Sequence, residues 1–147
     1  DFEKDRAVTE ANYIGALAWL NPVAELFQGL KKGQIVGISS VAGERGRVGN
    51  PSYNASKAAL SCYLEALRNR LTRHGVHVLT VKPGFVQTDM VKDANKLFWV
   101  VSPEQAAEAI LKGIQKRKQD IYVPARWRLV MWIIRNIPSV IFRRMSF

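Results

Sequence analysis

An α/β fold built on a parallel sheet is predicted by three observations. Short apolar runs at 34–39, 76–82 and 120–123 alternate with helical stretches at 52–72 and 102–116. The connections between runs are twenty residues or longer, which suits crossover helices and not hairpins. The runs are rich in Val and Ile without a polar alternation, as strands covered on both faces are.

Each element has a local reason. Residues 6–30 carry Ala, Leu and Trp at helical spacing, with Asn12 and Gly15 on the same helix. Pro22 is expected to bend that helix or end its regular part, and Lys31-Lys32-Gly33 is a stop with cations suited to a helix C-terminus. Gln-Ile-Val-Gly-Ile-Ser (34–39) is a buried strand, and the glycine-rich stretch 40–51, closed by Pro51, is a loop. A second long helix spans about 52–72 and is closed by His74-Gly75. The strand 76–82 stops at Pro83-Gly84, and 84–101 form a long loop ending in Leu97-Phe98-Trp99-Val100-Val101. Ser102-Pro103-Glu104-Gln105 combines an N-cap, an early proline and a Gln three after the cap, and so starts a helix running to about Lys116. A third short strand follows at 120–123, ended by Pro124. A helix with no strand before it suggests that the chain begins inside a domain.

With 147 residues, 48% apolar and 23% charged, the chain is long enough for one globular domain. The lone Cys62 excludes an internal disulfide and is expected to pack in the core; this fits a reducing compartment. No signal segment opens the sequence, so a cytoplasmic or membrane-peripheral location is expected. The net charge of +10 is uneven. Residues 1–111 hold 13 Lys+Arg against 11 Asp+Glu, whereas 112–147 hold 9 against Asp120 alone. Charge confined to the tail suits an anionic surface or substrate better than a nucleic-acid-reading fold. His74 and His77 read as a helix-end and a strand residue, and no metal-ligand spacing is present.

The chemistry centres on Tyr53-Asn54-Ala55-Ser56-Lys57, with Ser40 thirteen residues before the tyrosine. A spacing of four on a helix places phenol and ammonium on one face. A phenol has a reference pKa near ~10; an adjacent ammonium favours the phenolate and draws the hydroxyl toward neutral-pH proton transfer. Ser40 can hold the reacting oxygen, and it is preferred over Ser39 on spacing. Asn12 behind the lysine can support a water that relays protons. The group moves protons but has no redox centre, so alcohol–carbonyl interconversion would need a hydride carrier.

At these residues the chain resembles the short-chain dehydrogenase/reductase family. Asn12-Tyr13-Ile14-Gly15 resembles the family's Asn-x-x-Gly, and 33–43 its fifth strand with the catalytic serine. Tyr53 to Lys57 resembles its active-site helix, and Pro83-Gly84-Phe85-Val86-Gln87-Thr88 its Pro-Gly-x-x-x-Thr turn. The resemblance implies the later part of a Rossmann-type doubly wound sheet binding NAD(P), with NADP(H) slightly favoured. It implies catalytic roles for Asn12, Ser40, Tyr53 and Lys57, with Tyr53 as general acid or base on a secondary alcohol or ketone of apolar or lipid-like character. Cofactor contacts are implied for Tyr53, Lys57, Pro83, Gly84, Val86 and Thr88. It also implies a homo-oligomer formed through the two long helices. The family's glycine-rich phosphate turn and first four strands have no counterpart here; the glycines of 43–49 follow the serine and do not replace that turn. Residues 1–124 therefore read as a partial catalytic domain whose strand 34–39 has an unpaired apolar edge. The alternative is an inactive fragment acting as an association or peripheral-membrane module.

Residues 125–147 form a basic-hydrophobic tail with five arginines among Trp, Ile, Val, Leu, Met and Phe. Its longest uncharged stretch is the seven residues 136–142, too short to span a bilayer, and Pro138 splits it. Such a tail suits an anionic lipid interface, an oligomer contact or a lid over the substrate cleft. It also resembles the tails of reductases acting on lipid-like substrates. The Phe98-Trp99 pair reads equally as core or as substrate pocket.

Overall fold

The computed structural model describes residues 1–87 and 97–145. Three parallel strands, β1 (Gly33–Ile38), β2 (Val76–Pro83) and β3 (Asp120–Val123), lie side by side in chain order. Gly33 pairs with Val76 and Ile38 with Val81, while Thr80 pairs with Asp120 and Pro83 with Val123. The expected α/β architecture is therefore present.

The opening helix is longer than its apolar pattern suggested. It consists of α1 (Phe2–Thr9), a π-helical turn (Glu10–Ile14) and α2 (Gly15–Leu30) in unbroken succession. Asp1 caps its start, its carboxylate accepting from the Glu3 amide at 3.0 Å. Of the two expected effects of Pro22, ending the helix is not seen: α2 runs through it to Leu30. Pro22 and Ala18 both face solvent, so water can take the carbonyl that a proline ring leaves without a donor. Lys31, in the left-handed conformation at φ 53°, ends the helix.

The sheet is covered on both faces, which explains its apolar strands. Helix α3 (Pro51–Leu71) packs with α2 on one face, enclosing Ala24, Ile35, Leu60, Leu64, Leu67, Leu71, Val76 and Val78. Helix α4 (Pro103–Gln115) covers the other, over Leu79, Val81 and Val123. Along β2, Val76 and Val78 go to α3 while Leu79 and Val81 go to α4; the two-residue period of a strand separates the pairs. The capping box at Ser102 forms as expected: the Gln105 amide donates to Ser102 Oγ at 3.2 Å, and the Ser102 amide donates to Gln105 Oε1 at 3.0 Å. Cys62 is exposed, which corrects its expected place in the core. It stands two residues from Leu60, and two residues turn a helix by about 200°, away from the leucine stripe.

Arg68 joins three elements. It is buried on α3 and donates to Val78 O (3.0 Å), Thr80 Oγ1 (2.7 Å), Gln119 O (2.8 Å) and Asp120 Oδ2 (3.0 Å).

The tail folds back on the sheet's C-terminal end. Helix α5 (Trp127–Asn136) buries Trp127 and Met131 beside Val41 and Phe85, and α6 (Ser139–Phe142) follows Pro138. Two residues of the loop after β1 hold it there. The Arg45 guanidinium donates to Ile134 O (2.5 Å), Ile137 O (2.6 Å) and Arg135 O (3.2 Å), and lies 3.9 Å from the Phe142 ring centre. The Glu44 carboxylate, almost wholly buried, pairs with Lys82 Nζ at 2.6 Å and with Arg135 at 3.1 Å. Burial opposes the Lys82 charge, but the hydrogen bond and charge of Glu44 outweigh it and raise its pKa.

Candidate active site

Ser40 follows β1, Pro83 ends β2, and Tyr53 and Lys57 stand in the first two turns of α3. β1 delivers Ser39 and Ser40, whose burial fixes them below the loop. Ser39 is bound to the helix, its hydroxyl donating to Lys57 O at 2.9 Å and lying 2.7 Å from Ser61 Oγ. Ser40 turns the other way. Its Oγ accepts from the Ala42 amide at 3.1 Å, starting a 3₁₀ turn (Val41–Glu44), and donates toward Pro83 O at 3.5 Å.

Gly43 brings this turn against α3. A Cβ at Gly43 would stand 2.7 Å from the Ala58 nitrogen and 2.7 Å from the Lys57 carbonyl carbon. Those atoms are helix backbone and cannot move aside singly. The absence of a side chain at 43 thus sets how near the Ser40 turn lies to the Tyr53–Lys57 helix.

Tyr53 is in the first turn of α3, half-buried, and Lys57 stands one turn later with Nζ 5.8 Å from the phenol ring centre. The Lys57 ammonium donates to Ile38 O at 3.1 Å, and partial burial lowers its pKa. Sequence reading missed Arg47. It is partly buried and close enough to interact electrostatically with Tyr53, a second cation beside the phenol; burial lowers its pKa and Tyr53 opposes that. A lone arginine in a glycine-rich loop carries no spacing signal that could have singled it out.

Asn12 sits on the π-helical turn, where the Gly15 amide bonds Glu10 O. Such turns insert one residue into a helix and recur at functional sites. Asn12 and Lys57 line one open cleft of about 550 Å³, with Gly15, Trp19, Gly37 and Ile38 on its walls. On the far side of the serine, Pro83-Gly84 ends β2, and Val86 bridges to Val101. A Cβ on Gly84 would stand 2.0 Å from Trp127 Nε1, so the turn and α5 are in intimate contact. Trp99 packs edge-on to Trp127 at 5.4 Å between ring centres, while Phe98 is exposed. Thr88 lies outside the described residues. Among the described residues no cluster of His, Cys, Asp or Glu could hold a metal ion.

Residues 2–97 match the family model for short chain dehydrogenases. The chain belongs to the short-chain dehydrogenase family. An uncharacterized oxidoreductase of Myxococcus xanthus is 32% identical over 142 residues, covering 96% of this chain and 56% of that relative. The chain spans about half the length of the curated relatives it matches. A short-chain dehydrogenase from Burkholderia cenocepacia, solved in complex with NADP, superposes with a TM-score of 0.84 at 24% identity, over 98% of this chain and 60% of that one. The bulky-bulky ketone specific alcohol dehydrogenase of Comamonas testosteroni superposes with a TM-score of 0.63 at 26% identity, over 82% of this chain and 49% of that one. The short-chain dehydrogenase fold therefore accounts for the three strands and their helices, and the family is one of oxidoreductases.

Proposed function

We propose that this short-chain dehydrogenase chain carries the acid–base half of an NAD(P)-dependent oxidoreductase that interconverts a secondary alcohol and a ketone on an apolar substrate. The observation that carries the reading is that Lys57 Nζ reaches the last carbonyl of β1, Ile38 O, and the turn after Ser40 packs at Gly43 against the Lys57–Ala58 backbone, at the C-terminal ends of parallel strands, where ligands of open α/β sheets bind. The ketone specificity named for the Comamonas relative supports the substrate class.

The residues present fit the nicotinamide end of the coenzyme. An ammonium has three donors, and Ile38 O takes one from Lys57, leaving capacity for ribose hydroxyls. Pro83, Gly84 and Val86 would border the carboxamide, with Thr88 completing the turn. When bound, the coenzyme supplies the hydride. In reduction, Tyr53 gives its proton to the carbonyl oxygen as negative charge develops there. Ser40 holds the same oxygen, and Lys57, one helical turn from the phenol, orders the site. Asn12 anchors the water that returns the proton.

The test is a chimera joining residues 1–147 to the nucleotide-binding half of a related dehydrogenase, assayed for NAD(P)H-dependent ketone reduction. Tyr53→Phe should lower turnover by about 10²–10⁴, the usual worth of a general acid, while coenzyme binding persists. Unchanged turnover in that variant would remove Tyr53 as proton donor. A second reading, an association module without catalysis, is favoured by the exposed apolar residues Trp19, Leu26 and Leu30 on one stripe of α2.

A further inference from the structure

Helix α5 is apolar on two faces, and the fold uses only one. Trp127 and Met131 go into the core, whereas Leu129, Trp132 and Ile133 on the opposite face are 64%, 58% and 50% exposed. α6 continues this surface with Val140 and Ile141, each more than half exposed, and Met145 beyond it. Exposed arginines accompany them: Arg126, Arg128 and Arg135 around α5, and Arg143 and Arg144 after α6. On the helical wheel Arg128 and Arg135 lie together along the Trp132 edge of the strip formed by Trp132, Leu129 and Ile133. No acidic residue lies between 121 and 147. The Arg45 and Glu44 contacts hold both helices against the body, so their exposed apolar residues and arginines are carried on elements fixed to the fold.

We propose that α5 and α6 form an in-plane platform that docks the protein on an anionic phospholipid bilayer. The apolar strip enters the headgroup–acyl boundary, and the arginines extend their stems alongside it to meet lipid phosphates. The platform lies on the membrane; among the described residues no helix is long and apolar enough to cross one. Charge selects this occupant. A second copy would set Arg126, Arg128, Arg143 and Arg144 against their like; Arg135 is already paired with Glu44. A nucleic-acid backbone would satisfy the arginines but leave six apolar side chains in water.

The test is co-sedimentation of the full chain with vesicles of phosphatidylcholine alone and of phosphatidylcholine with roughly 30% phosphatidylglycerol. Partitioning should be at least about tenfold stronger on the anionic vesicles and should fall steeply from about 0.15 M to about 0.5 M salt. Trp132→Ser with Ile133→Ser, and separately Arg143→Ser with Arg144→Ser, should each weaken it about tenfold. In the parent chain, brominated acyl chains should quench tryptophan fluorescence, a readout independent of how the variants fold. Equal partitioning to neutral and anionic vesicles, or unquenched fluorescence in the sedimented protein, overturns the proposal. So does a dimer that Trp132→Ser dissociates in a chain that leaves anionic vesicles untouched, or binding to duplex DNA in preference to those vesicles.

Discussion

Arg68 shows how one buried charge can be tolerated. Its guanidinium loses water on α3 but gains two backbone carbonyls, a hydroxyl and a carboxylate, all at 3.0 Å or less. The acceptors come from β2, the turn before β3 and β3 itself, so the side chain carries much of the register between helix and sheet. Removing it orphans Val78 O and the Thr80 hydroxyl on the buried strand, while Gln119 and Asp120 keep access to water. Arg68→Ala should cost about 3–5 kcal/mol in denaturant unfolding. Arg68→Lys should recover little of this, because an ammonium cannot present the planar fork that reaches separated acceptors. A loss below about 1 kcal/mol in the alanine variant would show that the network is not coupled as its geometry implies.

Among the elements, β2 offers a pH readout. Its His77 has its pKa lowered, chiefly by burial, with the nearby Arg117 and Arg68 charges acting in the same direction and backbone hydrogen bonds opposing. The folded state therefore binds this proton less readily than the unfolded chain. The stability it contributes is complete above the unfolded value of about 6.5 and is lost as pH falls from there through the lower folded value. Melting temperatures measured from pH 7.5 to 5 should fall in the parent and fall less in His77→Gln; parallel curves would exclude His77 as the source. The elements themselves were largely legible in the sequence. The strands and α4 follow from apolar runs, Pro83-Gly84 and the Ser102 cap, which are local signals. The π-helical turn at Asn12 was not, because it depends on how α1 and α2 lean on α3, with Tyr13 edge-on to Tyr63. That α2 continues through Pro22 was not legible, because it depends on which side of the helix meets solvent. Tyr53, Lys57 and Ser40 were legible as a motif. Glu44 and Arg45 were not, since their partners are distant in sequence and only folding brings them near; Arg47 is close to Tyr53 in sequence, but a lone loop arginine carries no spacing signal.

Among the described residues the sheet has two edge strands, the six-residue β1 and the shorter β3. β1 pairs only with β2 there, and Ile38 at its end is partly exposed, as is the α2 stripe led by Trp19 at 77% exposure. An apolar strand edge beside an apolar helix face is a template for association. The isolated chain should therefore associate with concentration in sedimentation velocity. Trp19→Glu should shift it toward monomer while leaving vesicle binding unchanged, which separates this face from that of α5. A chain that stays monomeric at high concentration would contradict the association reading.

The paired residues Glu44 and Arg45 carry a further consequence. They stand four and five residues after Ser40, yet their bonds end on the tail, so the serine's turn and α5 share one set of contacts. A ligand against Ser40 and a surface under α5 thus act on the same small lever. If either favours one setting of it, the other must feel that preference with equal free energy and the same sign, since a thermodynamic cycle has to close. Where the protein rests and what it holds would then be two readings of a single equilibrium.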